Sequence, residues 1–320
     1  MERILVTGAL GQIGTELVTE LRNRYGRDQV VASDVRMPMP EPGGEEPGPF
    51  ERVDVTDGEQ VQGVVTKHRI DTVYHLAALL SATAEERPQT AWEINMGGLY
   101  NVLEVARRSG CAVFTPSSIG AFGAGTPKDQ TPQDTVQRPS TMYGVTKVSG
   151  ELLCDYYHSR FGVDTRGVRY PGIVSHGAPP GGGTTDYAVD IYYQALRYRH
   201  YLCFLRPDTR LDMMYMPDAI QAAVEVMEAD PDRLVHRNAF NVTAMSFTPE
   251  ELAASIREHL PDFRIDYEVD PVRQAIADSW PNSLDDKAAR AEWDWNPTYD
   301  LSAMTRDMLE HLGTEPPRGA

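Results

Sequence analysis

The sequence predicts an α/β protein built on a doubly wound parallel sheet, with a smaller C-terminal α/β lobe. Three observations lead there. The first half alternates short apolar runs with longer helical patterns. A glycine-rich turn joins the first apolar run to the first helical one. Beyond residue 176 the alternation gives way to a Pro/Gly-rich segment and shorter elements. Strand–helix alternation implies parallel strands with helices on both faces.

The elements follow in order. Residues 3–7 read as a strand and 12–25 as a helix; 30–34, 72–77 and 111–115 read as further buried strands. Helical patterns cover 89–108 and 143–161. Residues 37–49 are rich in Pro and Gly and read as an exposed loop within the sheet region. Residues 177–183, with Pro179-Pro180 and Gly181-Gly182-Gly183, read as a second loop. Thr248-Pro249-Glu250-Glu251 reads as a capped helix start, with Thr248 as cap and Glu251 closing a capping box. Short strands are expected at 240–242 and 265–267. Residues 1–175 are expected to bind a dinucleotide, with a later return near 211–243, and 176–320 to form mainly a substrate-binding lobe.

Composition narrows the class. The net charge is −17, from 30 basic and 47 acidic residues, with no Lys/Arg cluster, so no nucleic-acid partner is expected. Cys111, Cys154 and Cys203 are widely spaced and odd in number, which suggests a reducing compartment. No apolar run reaches membrane-spanning length, so no membrane partner is expected. The N-terminus passes directly into an apolar strand, unlike a signal peptide. A cytoplasmic enzyme is the resulting expectation.

Gly8, Gly11 and Gly14 sit in Thr7-Gly8-Ala9-Leu10-Gly11-Gln12-Ile13-Gly14, between the first strand and the first helix. Gly8 suits a tight turn, Gly11 lets the backbone approach a pyrophosphate, and Gly14 lets the helix pack on the strand. The backbone of Gln12 and Ile13, at the helix N-terminus, offers N–H groups and a positive dipole to phosphates. Asp34 ends the second strand, 20 residues after Gly14, where a carboxylate accepts hydrogen bonds from ribose hydroxyls. This Rossmann-type pattern favours NAD over NADP, although Arg36 close by keeps NADP open. Asp54-Val55 follows the third strand; it either meets the adenine edge or caps the helix from Gly58. Leu76-Ala77-Ala78 ends the fourth strand, where small residues admit a cofactor or simply pack.

Tyr143 and Lys147 are four residues apart on one helical pattern and share a face. A phenol is a poor base at neutral pH, but a neighbouring ammonium favours phenolate. Tyr143 is therefore expected to take a hydroxyl proton while hydride leaves the same carbon, with Ser118 holding the substrate oxygen. The eight histidines include no HExxH motif or other evident ligand spacing, so no metal is expected.

The Gly8 turn, Leu76-Ala77-Ala78, Asn95, Ser118, Tyr143 and Lys147 together resemble the extended short-chain dehydrogenase/reductases over nearly the whole chain. The resemblance implies that Ser118, Tyr143 and Lys147 are catalytic and that Lys147 also contacts the nicotinamide ribose. It adds Asn95, Ser117, Tyr170, Pro171 and Ile173 to the cofactor surroundings, the last three in and beside Arg169-Tyr170-Pro171-Gly172. A Pro171-Gly172 turn also has a purely structural explanation. Three further segments resemble the short-chain type L-threonine 3-dehydrogenases: 117–123, 180–188 and Ala277-Asp278-Ser279-Trp280-Pro281. This implies L-threonine as the small-molecule substrate, with Ser81, Ser118, Tyr143, Gly183, Thr184, Thr185 and Trp280 around it. Ser81 as a turn cap and Trp280 as core remain open. A homodimer through the helices bearing Trp92 and Tyr157 is also implied, with burial inside one chain as the alternative. Two rival functions stand: a nucleotide-sugar epimerase or dehydratase using Arg206 and Arg210 for phosphates, and a non-catalytic NAD-binding module.

Overall fold

The computed structural model describes residues 1–38, 48–177 and 183–314. The middles of both expected loops, 39–47 and 178–182 (including Pro180, Gly181 and Gly182), lie outside the described residues.

In chain order the first nine strands are β1 (Ile4–Thr7), β2 (Val30–Asp34), β3 (Phe50–Arg52), β4 (Thr72–His75), β5 (Ala112–Phe114), β6 (Ser117–Ser118), β7 (Thr165–Arg166), β8 (Val168–Tyr170) and β9 (Gly172–Val174). The helices between them are α1 (Gln12–Tyr25), α2 (Gly58–His68), α3 (Ser81–Glu86), α4 (Pro88–Trp92), α5 (Gly98–Ser109) and α6 (Met142–Phe161). Six strands form one parallel sheet in the order β3-β2-β1-β4-β5-β7. At its centre Val6 of β1 lies between Ala32 of β2 and Tyr74 of β4. Every residue of β1, β2 and β4 is buried, as expected where helices cover both faces of a parallel sheet. The crossover order reverses between β1 and β4, which opens a crevice beyond their carboxyl ends.

The second half adds α7 (Tyr187–Tyr198), β10 (His200–Cys203), β11 (Leu211–Tyr215), α8 (Met216–Glu228), β12 (Phe240–Asn241), β13 (Met245–Phe247), α9 (Pro249–His259), β14 (Arg264–Tyr267), α10 (Pro271–Ala277), α11 (Lys287–Trp293) and α12 (Leu301–Thr314). Strand β12 joins β8 and β6 in a second parallel group, while β11 pairs with β9 and β13. One apolar cluster packs α1 and α8 on the sheet and takes in Ala289, Trp293 and Trp295 from near the chain's end. A second packs α2, α5 and α6 on the opposite face. A third unites α7, β11, α9 and α12.

Local signals account for most boundaries. Thr248 caps α9 and forms the expected capping box with Glu251. Helix α2 is capped by Asp57, whose side chain accepts from the Glu59 and Gln60 N–H groups. Asp54 is therefore not its cap; its carboxylate turns back on Thr56 instead. The single helix expected over 89–108 is broken: a π-helical turn, Glu93–Gly97, separates α4 from α5. Such turns displace side chains from regular spacing and recur at functional sites. Tyr157 lies buried in the cluster under α5 and α6, with its hydroxyl donating to Glu104, so it faces its own chain.

Candidate active site

The glycine turn owes its shape to close backbone approach. Gly8 has φ +70°, and a Cβ there would lie 2.7 Å from the Ala77 nitrogen. That contact sets the turn against the end of β4 at Leu76-Ala77. A Cβ on Gly14 would lie 2.3 Å from the Gly8 carbonyl oxygen. Gly11 occupies the cap position of α1 with no side-chain cap, and no acidic residue sits in the first turn. The leading N–H groups of a helix have no intrahelical partner. Uncapped and with no acidic residue in its first turn, this helix start fits a pyrophosphate.

Asp34 sits at the next strand end, buried, with Oδ2 accepting from the Leu10 N–H at 3.2 Å. Its Oδ1 accepts from the Arg36 backbone and guanidinium at 3.0 and 3.1 Å. Burial acts to raise its pKa, but these hydrogen bonds outweigh burial and hold the carboxyl below its ordinary value. The carboxylate is thus charged and oriented beside the turn. Val55 is buried against Gly98, and Asn101 donates to the Val55 carbonyl at 3.0 Å, tying the third strand's exit to α5.

Helix α6 starts at its Thr141 cap and carries Tyr143 and Lys147 one turn apart. The Lys147 Nζ lies 5.4 Å from the Tyr143 ring centroid and donates to the Pro116 carbonyl at 2.8 Å. Ser118 ends β6; its Oγ accepts from the Gly120 N–H at 3.1 Å. A Cβ on Gly120 would lie 3.2 Å from two Tyr143 ring carbons and 3.5 Å from the Ser118 Oγ. Gly120 therefore lets the serine strand end lie against the tyrosine ring, and the structure brings Ser118, Tyr143 and Lys147 together.

A small cavity of about 30 Å³ is lined by Ala77, Asn95, Pro116, Thr146, Lys147 and Glu151, among others. Asn95 is expected here from the resemblance, whereas Glu151 and His75 escape the sequence. Asn95, within the π-helical turn, accepts from the Leu79 N–H at 2.8 Å and donates to Leu79 O and Thr146 Oγ1, both at 3.1 Å. It binds the chain leaving β4 to α6. Glu151 stands one turn beyond Lys147 and is bridged by Arg169 through Nε at 3.0 Å and Nη2 at 2.8 Å. Ser117 donates to the same carboxylate, so the residue preceding Ser118 is held from below. Extending the Tyr143–Lys147 spacing by four more residues would have found Glu151. His75, fully buried, lies 2.9 Å from Thr7 Oγ1 through Nδ1. Burial, then the Lys147 charge, hold its pKa down at about 3, so it stays neutral and adds no charge beside the lysine.

Other expected residues fall differently. The Tyr170 side chain is in the core, its hydroxyl donating to the Ala219 carbonyl at 2.6 Å. Ile173 is half-buried against the same cluster. Ser81 is the first residue of α3 and not its cap, which is Leu80. Trp280 is buried in the third cluster, with Ile119 and Phe122 from just beyond Ser118. A Cβ on Gly172 would lie 2.8 Å from Thr185 Cγ2, so Gly172, beside Pro171, receives the segment from Gly183. Thr184 is buried, and Asp186 Oδ2 accepts from the Gly183 N–H at 2.7 Å. Arg206 and Arg210 are engaged within the chain, with Asp278 and with Glu251. Neither stands as a ready phosphate anchor.

Residues 4–243 match the model of the NAD dependent epimerase/dehydratase family. The chain belongs to this family. Its cofactor is NAD. Among family relatives, an uncharacterized epimerase/dehydratase of Staphylococcus haemolyticus is 58% identical over 312 residues, covering 98% of each chain. The crystal structure of an L-threonine dehydrogenase from Clostridium difficile is 60% identical, covers 98% of each chain and superposes with a TM-score of 0.95. The holo form of a GalE-like L-threonine dehydrogenase from Cupriavidus necator is 53% identical, with a TM-score of 0.92 over 97% of this chain and 99% of that one. Among the described residues, no helix of this family member is long and apolar enough to cross a membrane.

Proposed function

We propose that the protein oxidises the 3-hydroxyl of L-threonine to give 2-amino-3-oxobutanoate, with reduction of NAD. The observation that carries this reading is the convergence of Ser118, Tyr143 and Lys147 at the end of the sheet, with Thr185 packed on Gly172 nearby. The similarity to L-threonine dehydrogenases of 53% and 60% identity supports the choice of substrate. Bound NAD supplies the acceptor for the hydride that leaves the substrate carbon. Gly8, Gly11, Gln12, Ile13 and Gly14 would hold its pyrophosphate and Asp34 its adenosine ribose; Asp54, Val55 and Leu76–Ala78 would line its path.

Tyr143 takes the proton from the 3-hydroxyl. Lys147 brings positive charge beside the ring, the sign a proton-accepting phenol oxygen needs nearby. Ser118 orients the substrate oxygen. Its Oγ already accepts from Gly120, which leaves its hydrogen to donate to the substrate. Ser81, Gly183, Thr184 and Thr185 offer polar contacts to the ammonium and carboxylate, and Trp280 closes the apolar side. The exposed Trp92, Tyr100, Leu152 and Tyr156 on α4, α5 and α6 support a homodimer through this face, testable by sedimentation.

A substrate panel tests the reading. NADH formation with L-threonine and none with sugar nucleotides is expected. Turnover of sugar nucleotides without turnover of threonine would overturn it.

A further inference from the structure

Away from Ser118, Tyr143 and Lys147, where β9 ends and α12 passes, two imidazoles and a carboxylate gather. His176 follows β9, and Asp307 and His311 stand one turn apart on α12. One donor atom from each of the three lies within 4.8 Å of the other two. The imidazole rings stack with centroids 4.1 Å apart and planes 9° from parallel. The Asp307 Oδ2 accepts from the Tyr215 hydroxyl at 2.6 Å and lies 3.5 Å from His311 Nδ1.

We propose that His176, Asp307 and His311 form a binding site for a divalent first-row transition metal ion of the zinc type. Imidazole nitrogen with carboxylate oxygen is the donor set such ions prefer. Bonds of about 2.0–2.2 Å place two ligands of a tetrahedral ion roughly 3.4 Å apart. The donors reach that spacing by side-chain rotation, which the exposed position of His311 allows. Tyr215 supplies the outer hydrogen bond that orients a ligating carboxylate. Glu16 adds negative charge close by, through its bond with Ser175 Oγ at 2.7 Å. The parallel rings aim their nitrogen lone pairs along separate planes, so a shared ion requires the exposed His311 ring to turn out of the stack. A motif search along the chain misses the cluster, because His176 and α12 meet only in the folded protein.

The ion would tie α12 to the chain leaving β9, which leads on to Gly183–Asp186. Its role is to fasten this corner, and it takes no part in the hydroxyl oxidation, so the site stands or falls independently of the substrate. The test uses the full chain, stripped with chelator and titrated with Zn²⁺, with Co²⁺ as a spectroscopic probe. We expect one ion per chain, visible Co²⁺ absorption bands and a Tm rise of several degrees that chelator reverses. His311→Ala, at an exposed position, should fold with an unchanged metal-free Tm and lose both the bands and the rise. His176→Asn should lose them as well. Absence of a Tm rise in the unaltered chain, or a rise that persists in both variants, would overturn the proposal.

Discussion

The glycine turn and the segment Gly183–Asp186, assigned to cofactor and substrate in the proposed function, are held in different ways. The turn is backbone against backbone: Gly8 on Ala77, Gly14 on the Gly8 carbonyl, with room only for hydrogen. The segment rests on side chains, Asp186 on the Gly183 N–H and the Thr185 methyl on Gly172. A backbone contact of this kind dictates residue type, so it leaves a readable spacing. A side-chain contact can be met by several residue types. On the proposed function, cofactor binding is therefore written in a short motif, and substrate choice in positions that have meaning only once assembled.

Four substitutions sharpen or break that contrast. Tyr143→Phe removes the proposed proton acceptor. Turnover should fall by about 10³-fold, within the range of general-base catalysis, while NAD affinity measured by fluorescence titration stays the same. A variant retaining most of its turnover would remove Tyr143 from the chemistry. Gly14→Ala places a methyl 2.3 Å from the Gly8 oxygen and forces the turn open. NAD affinity should drop by roughly 10²-fold, equivalent to about 2.7 kcal/mol of lost binding. If NAD binds unchanged, close approach is not what the turn requires.

Thr185→Val keeps the packing on Gly172 and deletes one hydroxyl. The KM for threonine should rise about 10-fold, the cost of one lost hydrogen bond to a charged group, with the KM for NAD unaltered. Equal changes in both constants would mean that the two regions are not separable. The smallest effect concerns Asp212 on β11, buried where Thr243 and the Leu284 N–H meet it. Burial raises its pKa to about 8, against the pull of those two hydrogen bonds. Between the ordinary carboxylate value, about 4, and 8, the folded state holds a proton that the unfolded state has lost. Stability from this group is complete below about pH 4 and declines as pH rises toward 8. Asp212→Asn should flatten the decline by a few degrees of Tm between pH 5 and 8.5, as read by calorimetry; an unchanged slope would assign it to other groups.

The comparison also explains what was legible. The Gly8–Gly14 spacing, Asp34 at a strand end, the Tyr143–Lys147 pair and the Thr248 capping box are local patterns, and each lies where its local physics requires. What the sequence left open depends on the path of the folded chain. Asp54 and Asp57 are both good helix caps in sequence, and only the path of the turn selects Asp57. Tyr157 and Tyr170 are amphipathic residues that sequence leaves free to face solvent, ligand or core; Glu104 and the Ala219 carbonyl draw them inward. The π-helical turn at Glu93–Gly97 has no sequence signal as distinct as a glycine turn, and its Asn95 finds Leu79 and Thr146 only in the folded chain.

By itself the sequence determined the alternating α/β plan, the glycine turn and the Tyr143–Lys147 pair, because periodicity, glycine spacing and one helical turn are short-range properties of a chain. Only the tertiary structure decided that Ser117, Glu151 and Arg169 interlock beneath the lysine, that His75 stays neutral, and that His176 meets Asp307 and His311. Those contacts join residues distant in sequence, and their energies depend on burial, which exists only after folding.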